Sequence, residues 1–395
     1  MDSPYLCGMS KQNSPLKLGT EHIGKLLTQY AIPAIIAMTA SSLYNMADSI
    51  FIGHGVGSLA ISGLALTFPL MNLAAAFGSL IGLGASTLVS VKLGQKDYEG
   101  ANRVLGNVFV LNVILGLAFT LVFMLFLDPV LYFFGASEHT ISYARDYMNV
   151  ILIGNVVTHM YLGLNSMLRS CGFPKLAMYA TLASVVINCV LNPLFIFGFG
   201  WGIKGSAWAT VISQVISLTG QLIHFSRPKE LLHFKKGIYR LKGEIVKGIL
   251  YIGMSPFLMN LCACLIVILI NRGLKEHGGD MAIGAYGIVN RVVFLFIMII
   301  MGFNQGMQPI AGYNFGARQY ARVTEVTKLT MKWAIGVAIT GFLLCQLFPS
   351  TIVRMFTTDP ELIETAVYGL HIVFAVFPIV GFQMVATNFF LSIGM

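Results

Sequence analysis

Apolar residues run through this chain in long blocks, and the polar stretches between them are short and often basic. Blocks long enough to cross a bilayer, about 20 residues, recur at approximately 26–53, 60–91, 104–127, 147–168, 176–197, 206–225, 247–271, 282–312, 329–349 and 364–391. Barrel strands are shorter and alternate in polarity, so these blocks predict helices. The expected fold is an all-α polytopic membrane protein with about ten helices.

Composition supports a lipid solvent. The 395 residues are 56% hydrophobic and 10% charged, against about 25% charged in soluble domains. The polar start, "MDSPYLCGMSKQNSPLKLGTEH", has no short apolar core with a cleavage site, so the first membrane helix is expected to act as the targeting signal. The six cysteines are scattered, and Cys262 and Cys264 are too close to share a helix face; they read as packing residues.

The net charge of +9 does not call for nucleic acid. With the N-terminus inside, 18 Lys and Arg fall in cytoplasmic segments, beginning with Lys11, and 5 fall outside. That bias sets a multi-pass, N-in orientation in the cytoplasmic (inner) membrane. The most basic stretch, "SRPKELLHFKKGIYRLK" at 226–242, reads as a cytoplasmic linker at the headgroup surface.

The chain also repeats itself. In "KLGQKDYEGANRV" (92–104) and "NFGARQYARVTEV" (314–326), Gly94 matches Gly316 and Tyr98 matches Tyr320, an offset of 222. The offset also pairs Ala60 with Ala282, Gly84 with Gly306, Phe134 with Phe356, and "RSCG" (169–172) with "LSIG" (391–394). At the first helix it slips by one, so Pro33 matches Pro256. Six spans precede the linker, so both copies start on the same side, a parallel repeat around a central cavity. The expected division is an N-terminal bundle at 1–225, a basic linker at 226–246 and a C-terminal bundle at 247–395 that holds helices 7–10 of a 12-helix plan. Counterparts of spans five and six do not follow, and "LSIGM" has neither cap nor polar tail, so a truncated chain is expected.

Three stretches resemble signatures of the MATE (multidrug and toxic compound extrusion) transporters, bacterial type: "NMADSIFIGHGVGSLAISGLAL" (45–66), "LNSMLRSCGFPKLAMYATLASVVINCVLNPLFIFGFGWGIKGSAWATVISQ" (164–214) and "AYGIVNRVVFLFIMIIMGFNQGMQPIAGYNFGA" (285–317). Together they are specific, and the resemblance covers essentially the whole chain, minus the missing end. The resemblance implies a secondary active transporter, not an enzyme, that exports organic cations or drugs in exchange for H+ or Na+ by alternating access.

Of 16 carboxylates, only Asp48 sits well inside an apolar block. An acid at a helix centre costs about 2.5–3.5 kcal/mol on insertion scales, and such residues normally face a cavity. In low dielectric the bare ionised form is disfavoured. Asp48 is therefore expected to hold a proton, a sodium ion or a cationic substrate in mutual exclusion, which is what antiport needs. A neighbour-bonded structural acid is the alternative. Asn188 and Asn192 share a helix face at i, i+4. The resemblance implies that Asp48, Asn188, Asn192 and Thr210 line a cation site. Asn192 stands where the family often has aspartate, so the site carries one negative charge, which favours protons over a sodium ion at Asp48, Asn188, Asn192 and Thr210. Asn165 is either a further polar wall or an interhelical hydrogen bond. Pro33, on the first helix, removes one backbone bond and permits a kink; the resemblance implies bending there. Asn271, the repeat partner of Asp48, cannot ionise, and Arg291 either lines the cavity or pairs with a carbonyl.

No GxxxxGK[ST] appears, and "GFGWG" (198–202) follows a membrane span without a lysine in place, so no ATP site is expected. No cofactor or structural metal is expected. The expected partners are small organic cations and the lipid bilayer, without nucleic acid, for a monomer. A lipid-linked sugar flippase of related architecture and an inactive remnant are the competing readings.

Overall fold

The computed structural model describes residues 16–357 and 359–395; Asp2, Cys7 and Lys11 lie outside them. Every regular element among the described residues is helical: α1 (Lys17–Thr20), α2 (Ile23–Gly55), α3 (Ser58–Gly94), α4 (Tyr98–Leu125), α5 (Leu127–Phe133), α6 (Ile141–Ile153), α7 (Asn155–Ser170), α8 (Pro174–Pro193), a π turn (Leu194–Gly198), α9 (Gly202–Phe225), α10 (Gly243–Gly316), α11 (Tyr320–Leu347), α12 (Pro349–Arg354), α13 (Pro360–Ala375) and α14 (Phe377–Ser392). The boundaries follow local chemistry. Asp97 accepts from the Gly100 amide at 2.8 Å and caps α4, Asp359 caps α13, and prolines open α8 and α13 where no backbone donor is needed.

Among the described residues, seven helical stretches are long and apolar enough to cross a membrane, and two bent pairs bring the number to nine. The expected span 147–168 is the pair α6 and α7, bent by 55°, and the expected span 364–391 is the pair α13 and α14, bent by 48°. Apolar content alone does not register a change of axis. The expected span 206–225 is α9, which does not reach the apolarity of the others. Its buried face carries Ser206, Thr210, Ser213, Ser217 and Gln221.

The expected spans 247–271 and 282–312 are joined by continuous helical backbone in α10. Two apolar limbs, Gly243–Val267 and Gly284–Gly316, nevertheless run in opposite directions along α3. Ile249 lies against Gly84 and Gly253 against Leu80, whereas Gln308 bonds Thr87 and Tyr313 lies against Gly94. A straight helix would put Ile249 and Tyr313 about 96 Å apart, while Gly84 and Gly94 are only about 15 Å apart. The chain therefore turns back between the limbs.

The repeat is visible in the backbone. Lys96 and Arg318, 222 positions apart, both adopt left-handed φ, at 61° and 59°, one residue before the next helix's cap. Gly172 and Gly394 share positive φ, at 97° and 82°. The breaks at Gly154 and Val376 and the short helices α5 and α12 keep the same offset.

The two halves cross closely from the linker end to the middle of α3, where a Cβ on Gly253 would lie 1.8 Å from the Leu80 carbonyl oxygen. A Cβ on Gly94 would lie 1.9 Å from the Tyr313 carbonyl oxygen, and one on Gly316 would lie 2.0 Å from that of Val91. Only glycine permits this approach. The contacts continue to Phe77 against Phe257, ring centroids 5.0 Å apart, and to Gln305 against Met38. The linker itself is docked more firmly than a solvated surface strand. Asn102 bonds the Leu231 carbonyl and the His233 amide, and Asn107 bonds the Ile238 and Arg240 carbonyls and the Lys242 amide. Leu232 and Ile238 are buried beneath it.

Candidate functional site

Three helices, each contributing an i, i+4 pair, build one polar cluster inside the first half. α2 supplies Tyr44 and Asp48, α8 supplies Asn188 and Asn192, and α9 supplies Ser206 and Thr210. This spacing puts both members of each pair on one face. The Asp48 side of the cluster is closed to solvent: Asp48 is 6% exposed, Asn192 and Ser206 not at all.

Asp48 Oδ1 accepts from Asn192 Nδ2 at 2.5 Å and from the Ser206 hydroxyl. Asn192 Nδ2 also donates to Asn188 Oδ1 at 3.4 Å. Asn188 Nδ2 donates to Thr210 Oγ1 at 3.0 Å and to Tyr44 Oη at 3.3 Å, and the Tyr44 and Thr210 hydroxyls are 2.7 Å apart. A hydrogen bond to a charged group contributes about 1.5–3 kcal/mol, so two donors offset much of the roughly 2.5–3.5 kcal/mol that an acid at this depth costs. Asn192 Oδ1 is buried without a hydrogen-bond partner. Asn192 therefore offers a donor to the carboxylate and keeps an acceptor for a proton-bearing or cationic group.

Pro193, following Asn192, removes a backbone donor at the end of α8, and the π turn after it redirects the chain. Asp48 lies about 15 Å beyond Met38 along α2, on the side of the interhalf contacts away from the linker.

Four of the expected site residues, Asp48, Asn188, Asn192 and Thr210, come together. Asn165 does not. It donates to the Ala177 carbonyl at 2.9 Å and to Thr181 Oγ1 at 3.3 Å, and accepts from Arg169. Thr181 is about two helical turns of α8 from Asn188, so Asn165 makes interhelical bonds nearer the linker. Pro33 is buried about 22 Å along α2 from Asp48, and the helix continues through it. Arg291 is exposed on α10. Asn271 is helical, but its side chain lies outside the described residues. Among those residues, no three His, Cys, Asp or Glu gather to hold a metal. Tyr44 and Ser206 were not expected. Each stands four residues before an expected member on its own helix, so the spacing that paired Asn188 with Asn192 also marks them.

The sequence model of the MatE family matches residues 33–194 and 252–395. The multidrug export protein MepA of Staphylococcus aureus (strain N315) is 31% identical over 355 residues, 89% of this chain and 77% of that relative. MepA of Staphylococcus haemolyticus (strain JCSC1435) is 30% identical over 354 residues, with the same coverage of 89% and 77%. The outward-facing conformation of a multidrug resistance MATE family transporter of the MOP superfamily matches with a TM-score of 0.91 at 24% identity, over 98% of this chain and 86% of that one.

Proposed function

From the premise that the chain belongs to the MatE family and is a multi-pass membrane transporter, we propose that it exports organic cations in exchange for protons by alternating access, with Asp48 as the proton carrier. One observation carries this reading: a buried carboxylate held through a single oxygen, beside a buried amide oxygen with no partner. The bonds donated to Oδ1 stabilise the ionised form. A proton on the other oxygen, or a cation near it, relieves the desolvated charge, and Asn192 Oδ1 accepts from either. The two occupants compete, so binding one favours release of the other.

Protons are favoured over sodium because the cluster has one full charge, and because Asn192 Nδ2 and Ser206 Oγ point donors at it. A sodium ion needs acceptors in those places. The bias of basic residues puts the linker end in the cytoplasm. The close crossings between the halves run from that end to the middle of α3, which supports reading this conformation as outward-open. The bundles 1–225 and 247–395, joined by 226–246, would then rock about their glycine crossings, with Pro33 letting α2 bend. A lipid-linked sugar flippase needs cations lining its cavity, and the exposed Arg291 offers that reading no support.

The test is efflux of ethidium from drug-sensitive cells that carry the parent chain or Asp48→Asn at matched membrane levels. The variant is expected to fall to the empty-vector rate. Full efflux by the variant would refute the assignment.

A further inference from the structure

The polar face of α9 continues beyond the Asp48 cluster. From Ser206 and Thr210 it runs through Ser213, Ser217 and Gln221 to His224, and every one of these residues is buried. The spacing keeps them on one side of the helix. α8 runs antiparallel in a constant register. Asn188 bonds Thr210, Ser184 meets Ser213 at 3.4 Å, and the Phe173 ring packs on His224 at 4.5 Å. That register sets Ser217 opposite Thr181, and Gln221 opposite Ala177, whose carbonyl Asn165 engages.

The lower part of this seam is unfinished as a protein-only network. Ser217 Oγ, both amide atoms of Gln221 and His224 Nε2 are buried without hydrogen-bond partners, and Gln221 is 1% exposed. Buried polar groups in native proteins are bonded to protein or to ordered water. Four orphaned atoms in a row match a file of water. The row ends at a cavity of about 700 Å³ at the linker end, where His224 is joined by Lys17, Lys25, Arg227, Glu21 and Glu230. Lys175 also lines this cavity, and Arg169 faces the seam from α7 through Asn165. At the other end, the bonded trio Tyr44, Asn188 and Thr210 stands between Asp48 and the seam.

We propose that the α8–α9 seam is a hydrated proton path from Asp48 to the linker-end cavity, inside the first half and separate from the route of the exported cation. The role of Asp48 in proton coupling, on which this rests, is the reading given above. A proton leaving the Asp48 carboxyl passes to water in the seam and then to bulk at the linker side. Serine hydroxyls donate and accept along the way, and Gln221 orients water without holding the proton. The Tyr44 trio keeps the path shut while the halves are closed at the linker end, which prevents a leak. Tyr44 lies on α2, so bending of that helix opens it.

The test uses the full chain in proteoliposomes with ethidium, as the parent, as Asp48→Asn and as the double variant Ser217→Ala/Gln221→Leu. Efflux driven by an imposed pH gradient is expected to fall about tenfold in the double variant, the effect on a barrier of removing buried hydrogen-bonding groups. Exchange of ethidium for ethidium, which moves no net proton, is expected to match the parent. Proton-driven efflux at the parent rate in the double variant, with Asp48→Asn inactive, would overturn the seam and leave the role of Asp48 standing. Proton-driven efflux in Asp48→Asn would remove the premise. Hydration is read separately and without reference to coupling. In Gln221→Cys, a small charged methanethiosulfonate added from the linker side is expected to modify the new thiol faster than any thiol of the parent. No reaction above the parent would overturn the proposal even if the double variant failed to fold.

Discussion

The two halves use the same turns, breaks and glycine crossings, and among the described residues only the first surrounds an acid inside its bundle. α2 and the first limb of α10 are counterparts in the repeat. α2 brings Tyr44 and Asp48 against the polar faces of α8 and α9. The first limb of α10 instead exposes Tyr251, Leu258 and Leu265, at 71%, 49% and 60%. A membrane helix carries a carboxylate cheaply only where neighbouring helices supply donors, because the bonds to Asn192 and Ser206 offset the desolvation. At the counterpart of Asp48, Asn271 carries no charge to compensate. Duplication thus accounts for the shared turns and crossings, and the ion chemistry proposed above belongs to one copy.

That contrast is open to experiment. The largest effects are expected where the halves are alike. Gly94→Val and Gly316→Val each place carbon inside a backbone crossing, and overpacking of about 1–3 kcal/mol shifts the linker-closed population roughly 5- to 150-fold. Linker-side cross-linking between engineered cysteine pairs should drop to a similar extent in both variants, and a loss in only one would break the symmetry.

Next come the donors to Asp48. Asn192→Ala and Ser206→Ala each remove one bond to a charged group, about 1.5–3 kcal/mol. Ethidium affinity, measured by fluorescence titration, should weaken or become markedly more pH-dependent in both. Asn165→Ala removes interhelical bonds nearer the linker. It should lower the thermal midpoint of the purified protein while affinity stays close to the parent's, and a large affinity loss would put Asn165 back in the site. The smallest effect is expected for Asn271→Ala, within about twofold of parent efflux, less than 0.5 kcal/mol. A loss comparable to that of Asp48→Asn would show that the second half also handles the ion.

Much of this was legible in the sequence, for identifiable reasons. The spans declared themselves because lipid tolerates few charges, and Asp48 stood out because nothing else in its block is charged. The repeat was readable because Gly94, Gly172, Gly316 and Gly394 occupy backbone positions that side chains disfavour or cannot enter. The bends at Gly154 and Val376 were hidden, since hydropathy is blind to a change of axis. Asn165 stayed open between a polar wall and an interhelical bond because polarity within a span does not reveal depth, and its bonds to Ala177 and Thr181 depend on the packing of α7 on α8. Tyr44 and Ser206 were passed over because a tyrosine and a serine in an apolar helix are individually unremarkable. Their meaning comes from a spacing of four from residues already under suspicion.

The central claim is that one carboxylate exchanges a proton for a cation. The most direct measurement is proton release when ethidium is added to purified protein in weakly buffered detergent solution, at a pH where Asp48 starts out protonated. The parent is expected to release close to one proton per bound dye, and Asp48→Asn none, as linkage requires of a single competing site. Equal release from both proteins, or dye binding by the parent with no release at any pH, would contradict it.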